Sequence, residues 1–353
     1  MLEKITLSAI ELLKELIKIP SFSKEEDKTA LHIQQWLNDN GVKTNRSQNN
    51  IWAINKNFDA NKPSILLNSH LDTVKPNKTY TNDPFEVKVE DGKLYGLGSN
   101  DAGGCLVSLM ALFVHFYKCK NLQYNLVLAT TAEEEISGKN GIASLFTELP
   151  QIDFAVVGEP TEMQLAITEK GLMVIDGYAL CISGHAAHEN TDNAIYNALK
   201  DIDWIRNYVF PKISETLGKV KASVTQINAG SQHNIVPPSC HFVIDVRVND
   251  AYQNKEVFEI LNSNTLSKLE ARSFRLNSSG IAINHPIVKA GIALGRKTYG
   301  SPTLSDQALI PCPSLKLGPG VSSRSHSADE FIELSEIESG IELYIEIFKQ
   351  ILL

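Results

Sequence analysis

The apolar positions change period along the chain, and those changes divide it. "MLEKITLSAIELLKELIKIP" spaces its apolar residues three and four apart, which predicts an amphipathic surface helix closing at Pro20. "KEEDKTALHIQQWLNDNG" repeats that spacing, with Ser23 ahead of it as an N-cap and Gly41 just past its end. "SILLNS", "NLVLATT" and "DFAVVG" are short, continuous apolar runs, the signature of strands buried on both faces. "FEVKVEDGKLYG" reads as a hairpin turning at Asp91-Gly92. "AGGCLVSLMALFVHFYK" is apolar all round, which predicts a buried helix. Helices alternating with such strands imply an α/β fold with helices on a largely parallel sheet.

Near residue 171 the pattern turns into strict alternation over "LMVIDGYALCI". A helix follows over "NAIYNALKDIDWIRNYV", then strands over "VKASVTQIN" and "HFVIDVRV". "NKEVFEILNSNTLSKLE" reads as a second helix and "RSFRLNSSGIAI" as the last strand. The order β-α-β-β-α-β predicts a small α+β sandwich, two helices on one four-stranded antiparallel sheet. From about residue 280 the chain returns to helix, loop and short apolar strand, ending in the helix "SEIESGIELYIEIFKQILL". The expected architecture is an α/β domain with a mostly parallel mixed sheet, made of residues 1–170 and 280–353 and interrupted by an inserted domain at 171–279.

Composition narrows the function classes. The chain has 353 residues, enough for two cores, and a net charge of −8 with no long basic cluster, which argues against a nucleic-acid partner. No apolar run approaches membrane-spanning length, and the acidic amphipathic N-terminus does not read as a signal peptide. The five cysteines, Cys105, Cys119, Cys181, Cys240 and Cys312, are scattered and form no CxxC. That fits a reducing cytoplasm and leaves imidazole and carboxylate as the ligands of any metal.

Several such groups fall at strand ends, where open α/β sheets bind ligands. In "NSHLDTV", His70 and Asp72 are two apart on extended chain and point the same way, so Asp72 can orient the His70 ring while its other nitrogen holds a metal. Asp101 lies in "GLGSNDAGG", a tight glycine-rich turn before the buried helix, where it also suits a helix N-cap. "TTAEEEISG" puts Glu133, Glu134 and Glu135 after a buried strand, costly unless solvated or paired with a cation; alone it reads as a charged loop. "VVGEPTE" places Glu159 after another strand, and "SSRSHSADE" places His326 in a serine-rich loop. Together they suit zinc, and a shared carboxylate suits a two-metal site. A P-loop, a GxSxG elbow and a GxGxxG after a strand are absent.

With "SHLDTV", "GLGSNDAGG", "TAEEEISG", "VVGEPT", "SGHAAHENTDNAI", "NIVPPSCHFVIDVRV" and "SHSADEF" in that order, the chain resembles the di-zinc amidohydrolase and exopeptidase family. That family contains acetylornithine deacetylase, succinyl-diaminopimelate desuccinylase, aminoacylases and glutamate carboxypeptidases. The resemblance implies a zinc-binding catalytic domain interrupted by a lid and dimerisation domain. It assigns His70, Asp101 and Glu159 to a first zinc ion, and Asp101, Glu135 and His326 to a second, with Asp72 holding the His70 ring. Glu134 matches the general base, His188 the lid histidine that reaches a neighbouring subunit, and the bond from Asp101 to Ala102 the family's cis peptide. Asn234 and Arg247 match polar lid positions for a substrate carboxylate, and Gly318 and Gly320 offer backbone N–H groups near His326. Arg247 also suits a salt-bridged strand pair with Asp245, and His185 rivals His188. "GLGSND" replaces a commoner glycine-arginine-glycine form, and the stretch after His188 is short.

The implied activity is metal-dependent removal of the N-acyl group from an amino acid, with zinc, cobalt or manganese as the cation. The implied substrate is N-acetylornithine or N-acetylcitrulline on the arginine route, handled by a cytoplasmic homodimer. Alternatives are an N-succinyl amino acid desuccinylase, a zinc dipeptidase or carboxypeptidase, and a silent binding protein of the same fold. Arg324, two residues before His326, is the candidate reader of a succinyl carboxylate; its competing role is a surface pair with Asp329 or Glu330.

Overall fold

The computed structural model describes residues 2–189 and 192–353. The chain divides into two compact units, one of Met1–Ile167, Gly280–Tyr299 and Ser305–Leu353, the other of Thr168–Ser279 and Gly300–Leu304. The second unit therefore takes a short return segment that the sequence pattern assigns to the first.

In the first unit the strands run in the order Asn45–Ser47, Asn50–Ile54, Asn125–Thr131, Ser64–His70, Phe154–Val157, Ser314–Lys316, Leu165–Glu169. The four from Asn125–Thr131 to Ser314–Lys316 are parallel, and the flanking pairs are antiparallel. Alternate side chains of the central strands serve two cores. Ile65, Leu67, Leu126, Leu128 and Val156 join the helices Leu2–Ile17, Gly104–Phe116 and Leu334–Leu352 on one face. Leu66, Val127, Ala129, Ala155 and Val157 join Ile142, Leu145 and Ile310 on the other. Burial on both faces is why these strands show no alternation in sequence. His70 pairs with Thr131, so adjacent parallel strands end at the same level and release their following residues together.

The hairpin forms as expected, Lys88–Glu90 against Lys93–Tyr95, with Asp91 and Gly92 at positive φ. The second helix starts later than its sequence suggests, at Asp27, with Glu26 at its N-cap. Ser23 is not the cap; its hydroxyl donates instead to Asp72 Oδ2 at 2.6 Å.

The second unit carries one antiparallel sheet in the order Lys221–Ala229, Ser239–Val248, Gly171–Leu180, Lys268–Ala271. Its core holds Ala194, Ala198 and Ile205 of one helix and Val257 and Leu261 of another. The sequence expectation erred over the fourth strand. The helix stops at Ser263, and "KLE" at the end of the expected helix opens the strand Lys268–Ala271, with Leu269 buried between exposed Lys268 and Glu270. The buried carboxylate of Asp201 takes the N–H groups of Leu266 and Ser267 at 3.0 and 2.7 Å, which fixes the extended chain there. Among the described residues no helix is long and apolar enough to cross a membrane.

Candidate metal centre

Five segments, at strand ends or ahead of a helix, meet in the first unit. His70 closes its strand with the ring buried. Its Nδ1 faces the main-chain oxygen of Asp72 at 2.9 Å, and the Asp72 carboxylate lies farther off at 3.6 Å. An N–H donated from Nδ1 leaves Nε2 to the site, where Asp101 Oδ1 is 3.2 Å and Glu159 Oε1 3.9 Å away. The Asp72 carboxylate also takes up a task that its spacing does not suggest. Its Oδ1 accepts from the Glu134 N–H at 3.0 Å and its Oδ2 from the Glu135 N–H at 3.2 Å. Asp72 thus binds the His70 strand to the glutamate turn.

That turn resolves the three glutamates. Glu133 has φ of 57° and sends its carboxylate back to Asn140, whose N–H and side-chain amide donate to it at 3.2 and 2.8 Å. A Cβ at position 138 would lie 2.0 Å from Glu133 Oε2, so only glycine fits there. Glu134 and Glu135 are left to face the cluster. Ligand atoms of His70, Glu134 and Glu135 lie within 4.8 Å of one another, as do those of His70, Asp101 and Glu159, and those of Asp101, Glu135 and His326. The last two groups share Asp101. The Asp101–Ala102 peptide is cis, inside a turn over Ser99–Gly103 that leads into the buried helix. His326 Nε2 is 3.1 Å from Glu135 Oε2 and 3.6 Å from Asp101 Oδ2.

The electrostatics of the cluster follow from crowding. Burial drives the Glu134 carboxyl well above its usual range, and Glu159, Asp306 and Glu135 push the same way against His70. Burial and the Asp101 charge raise Glu159 to about 8. The hydrogen bond to Glu135 raises His326 to about 9 against its burial. Burial opposes the charge of His70, but Asp101 and Asp72 outweigh it and hold the ring's pKa well up. Asp72 and Asp101 are pulled down despite burial, chiefly by His70. Glu134 and Glu159 draw protons because they are buried facing other carboxylates, and His70 and His326 hold theirs against carboxylate partners.

His188, Asn234 and Arg247 lie in the second unit. The His188 ring is exposed with its centroid 5.5 Å from that of His185, and Asn190 and Thr191 of the same stretch lie outside the described residues. Asn234 is exposed, and Arg247 pairs with Asp245 at 2.9 Å, the strand pair its alternation allows. Arg324 pairs with neither Asp329 nor Glu330. Its Nη1 meets Glu336 Oε2 at 2.6 Å and its guanidinium lies over the Phe331 ring. Gly318 does not offer an N–H to a ligand: that group donates to Thr161 Oγ1 at 3.1 Å, and the close approach is by Cys105 and the Glu159 backbone. Gly320 has φ of 87°, and a Cβ there would lie 2.5 Å from Asn100 Oδ1.

Sequence reasoning missed four residues. Ser23 braces Asp72. Asp306 is buried, takes the Thr131 hydroxyl at 2.6 Å and is raised by burial to about 6. Glu26 accepts the Glu133 N–H at 3.2 Å, and Glu330 accepts from the Asp101 turn. None shows a periodic signal; a carboxylate at a turn looks solvated until the fold covers it.

The profile of peptidase family M20/M25/M40 matches residues 66–350, and the chain belongs to this family of hydrolases. A succinyl-diaminopimelate desuccinylase of Rickettsia akari (strain Hartford) is 25% identical over 383 residues, covering 97% of this chain and 100% of the relative. An acetylornithine deacetylase of Proteus mirabilis (strain HI4320) is 27% identical over 374 residues, covering 95% of this chain and 94% of the relative. Among solved structures, a tripeptidase of Staphylococcus aureus superposes with a TM-score of 0.78 at 22% identity, covering 98% of each chain. A Bacillus subtilis protein described as a dinuclear metal-binding peptidase of the M20 family gives 0.73 at 15% identity, again covering 98% of each. These two support the α/β fold with its separate antiparallel sheet.

Proposed function

We propose, from membership of this peptidase family, that the chain is a two-cation hydrolase that removes the acyl group from an N-acyl amino acid. The observation that carries the reading is the pair of ligand groups sharing Asp101, His70 with Glu159 on one side and Glu135 with His326 on the other. Two imidazoles and several carboxylates are the donor set of zinc, cobalt or manganese. A crowd of carboxylates with raised pKa values is also the environment that positive charge relieves. Bound there, the cations would supply Lewis acidity to an amide carbonyl and to water.

The residues have distinct tasks in this reading. Glu134 is in the cluster but outside the two groups that share Asp101, so it takes the proton from water and returns it to the leaving amine nitrogen. Its burial and like-charged neighbours raise its proton affinity, which suits a group that must hold a proton between the two transfers. Asp72 keeps Glu134 and Glu135 in place through their backbone N–H groups while its carbonyl sets the His70 tautomer. His188 completes the site of a partner subunit in a homodimer formed through the second unit, where it donates to the developing oxyanion. Asn234 and Arg247 belong to the same lid. Five unpaired cysteines fit a cytoplasmic setting.

For the substrate we favour N-acetylornithine or N-acetylcitrulline, with the product used in arginine synthesis. The Arg324 charge is already matched by Glu336, which removes the main reason to expect a succinyl carboxylate beside His326. Desuccinylation is the second reading, supported by the relative from Rickettsia akari that bears that name. The test is to reconstitute metal-free protein with zinc, cobalt or manganese and assay N-acetyl and N-succinyl forms of ornithine, citrulline and diaminopimelate beside several dipeptides. Preference for dipeptides would overturn the deacylase reading, and preference for succinyl substrates would select the second.

A further inference from the structure

The turn that presents Asp101 has no strand to pair with, yet it is buried. Ser99 and Asn100 are fully covered, and Asp101 is partly so. Its N–H groups need acceptors inside the protein, because an orphaned buried N–H costs about as much as a lost hydrogen bond. The Ser99 and Gly103 N–H groups go to the main-chain oxygens of Gly96 and Gly98, and one side chain takes those of Gly98, Asn100 and Asp101. Glu330 is 2% exposed, and its Oε1 accepts from the N–H groups of Asn100 and Asp101, both at 2.8 Å. Its Oε2 accepts from the Gly98 N–H at 3.1 Å, and its main-chain oxygen from the Gly96 N–H at 3.0 Å.

The chain brings Glu330 there by strand pairing. Phe331–Glu333 lies antiparallel to Lys93–Tyr95, the strand just before the turn, with Phe331 opposite Tyr95. The same segment carries His326 four residues earlier. A second tie runs beside it: the Asn100 side-chain amide donates to the Val321 oxygen at 3.1 Å, and the Val321 N–H donates to Asn100 Oδ1 at 2.9 Å. Glu330 therefore joins the two segments whose side chains, Asp101 and His326, must lie close together, 3.6 Å apart at Oδ2 and Nε2.

We propose that Glu330 is a positioning residue of the metal centre, fixing Asp101 where one carboxylate can serve both the His70–Glu159 side and the Glu135–His326 side. The proposal rests on the two-cation reading above. It explains why an acidic residue is kept buried beside a cluster already crowded with carboxylates. Three N–H donors and two oxygens that only accept are a match for a carboxylate and for nothing isosteric. Glutamine has the same shape but one accepting oxygen and an NH2 group, so at least one turn N–H would face another donor.

The experiment compares wild type with Glu330→Gln and Glu330→Asp. Metal-free protein is titrated calorimetrically with Zn²⁺ and with Co²⁺, the visible spectrum of the cobalt form is recorded, and the thermal midpoint of the metal-free protein is followed separately. The expected result is a folded Glu330→Gln protein whose second cation binds about 10- to 100-fold more weakly, with an altered cobalt spectrum and a fall in kcat at little changed KM. Glu330→Asp keeps the acceptors at shorter reach and should fall between the two. A Glu330→Gln protein that binds both cations as wild type does, with the wild-type cobalt spectrum, overturns the proposal and leaves the two-cation reading standing. If the glutamine variant does not fold, Glu330→Asp decides: wild-type affinity and spectrum there overturn it equally. A wild-type protein that binds fewer than two cations overturns both readings together.

Discussion

The two units each set carboxylates beside histidine, part-exposed in the second and crowded in the first, with opposite results. In the second unit Asp176 receives Arg272 through two bonds of 2.8 and 3.0 Å and His241 at 2.9 Å. The Arg272 hydrogen bond leads the causes that hold Asp176 down at about 2. In the first unit Glu134 and Glu159 face other carboxylates and are pushed up, Glu159 to about 8. A carboxylate matched by the chain's own cations is part of the scaffold. A group in which several carboxylates face one another, with His70 and His326 set against them, is one that added positive charge would relieve. The same residue types in sequence thus give a structural pair in one place and a candidate metal centre in the other, and partners decide which.

The largest expected effect comes from Glu134→Gln, which removes the proposed proton carrier and leaves the groups that share Asp101 intact. Hydrolysis should fall by roughly 10²- to 10⁴-fold with both cations retained. Glu135→Gln should instead lose the second cation. Metal analysis beside steady-state rates separates the two, and the reverse pattern would exchange the roles of the adjacent glutamates.

Asp72→Asn comes next. It disturbs the backbone acceptors of Glu134 and Glu135 and the Ser23 contact, so cation affinity or activity should drop by about 10- to 100-fold, read by competition with a chelator. An unchanged affinity and rate would show that the Asp72 carbonyl alone holds His70.

Protons sharpen the comparison further. His70, His326, Glu134 and Glu159 have raised pKa values, so near neutrality the cation-free cluster holds protons that a cation must displace. Calorimetry in buffers of different ionisation enthalpy should show net proton release, and affinity should increase with pH. For the cation-free protein the sign is opposite. The His326–Glu135 contact stabilises fully below the ordinary histidine value of 6.5 and is lost as pH rises through about 9. Cation binding with no proton release would contradict the crowded-carboxylate account.

The smallest effect is expected at the matched carboxylate. Asp176→Asn should cost only about 1 kcal/mol, since Arg272 is 56% exposed and its pair is screened, and cation binding should not change. Its pairing is lost only in acid, as pH falls from 3.8 through about 2. A loss of cation affinity in this variant would break the division between the two clusters.

Much of this arrangement was legible in the sequence because the strands have strong patterns and the cluster sits at their ends. Continuous apolar runs located three of the four parallel strands, all but Ser314–Lys316, and the residues at or just beyond their ends were His70, the glutamate run and Glu159. What stayed hidden depended on contacts between distant segments. "KLE" looked like the end of a helix because nothing local shows Asp201 fixing the chain before it. Ser23, Asp306 and Glu330 looked like ordinary loop residues, since their neighbours Asp72, Thr131 and the Asp101 turn are 49, 175 and about 230 residues away in sequence. Arg324 looked open to the site because its partner, Glu336, lies on the following helix.

The central claim is that the first unit is built around two cations sharing Asp101. The direct measurement is the number of Zn²⁺ or Co²⁺ ions taken up per chain by exhaustively chelated wild-type protein, with Asp101→Ala titrated alongside. The account predicts two in the wild type and impaired binding of both in the variant. One ion or none in the wild type, or two ions undiminished in Asp101→Ala, would contradict it.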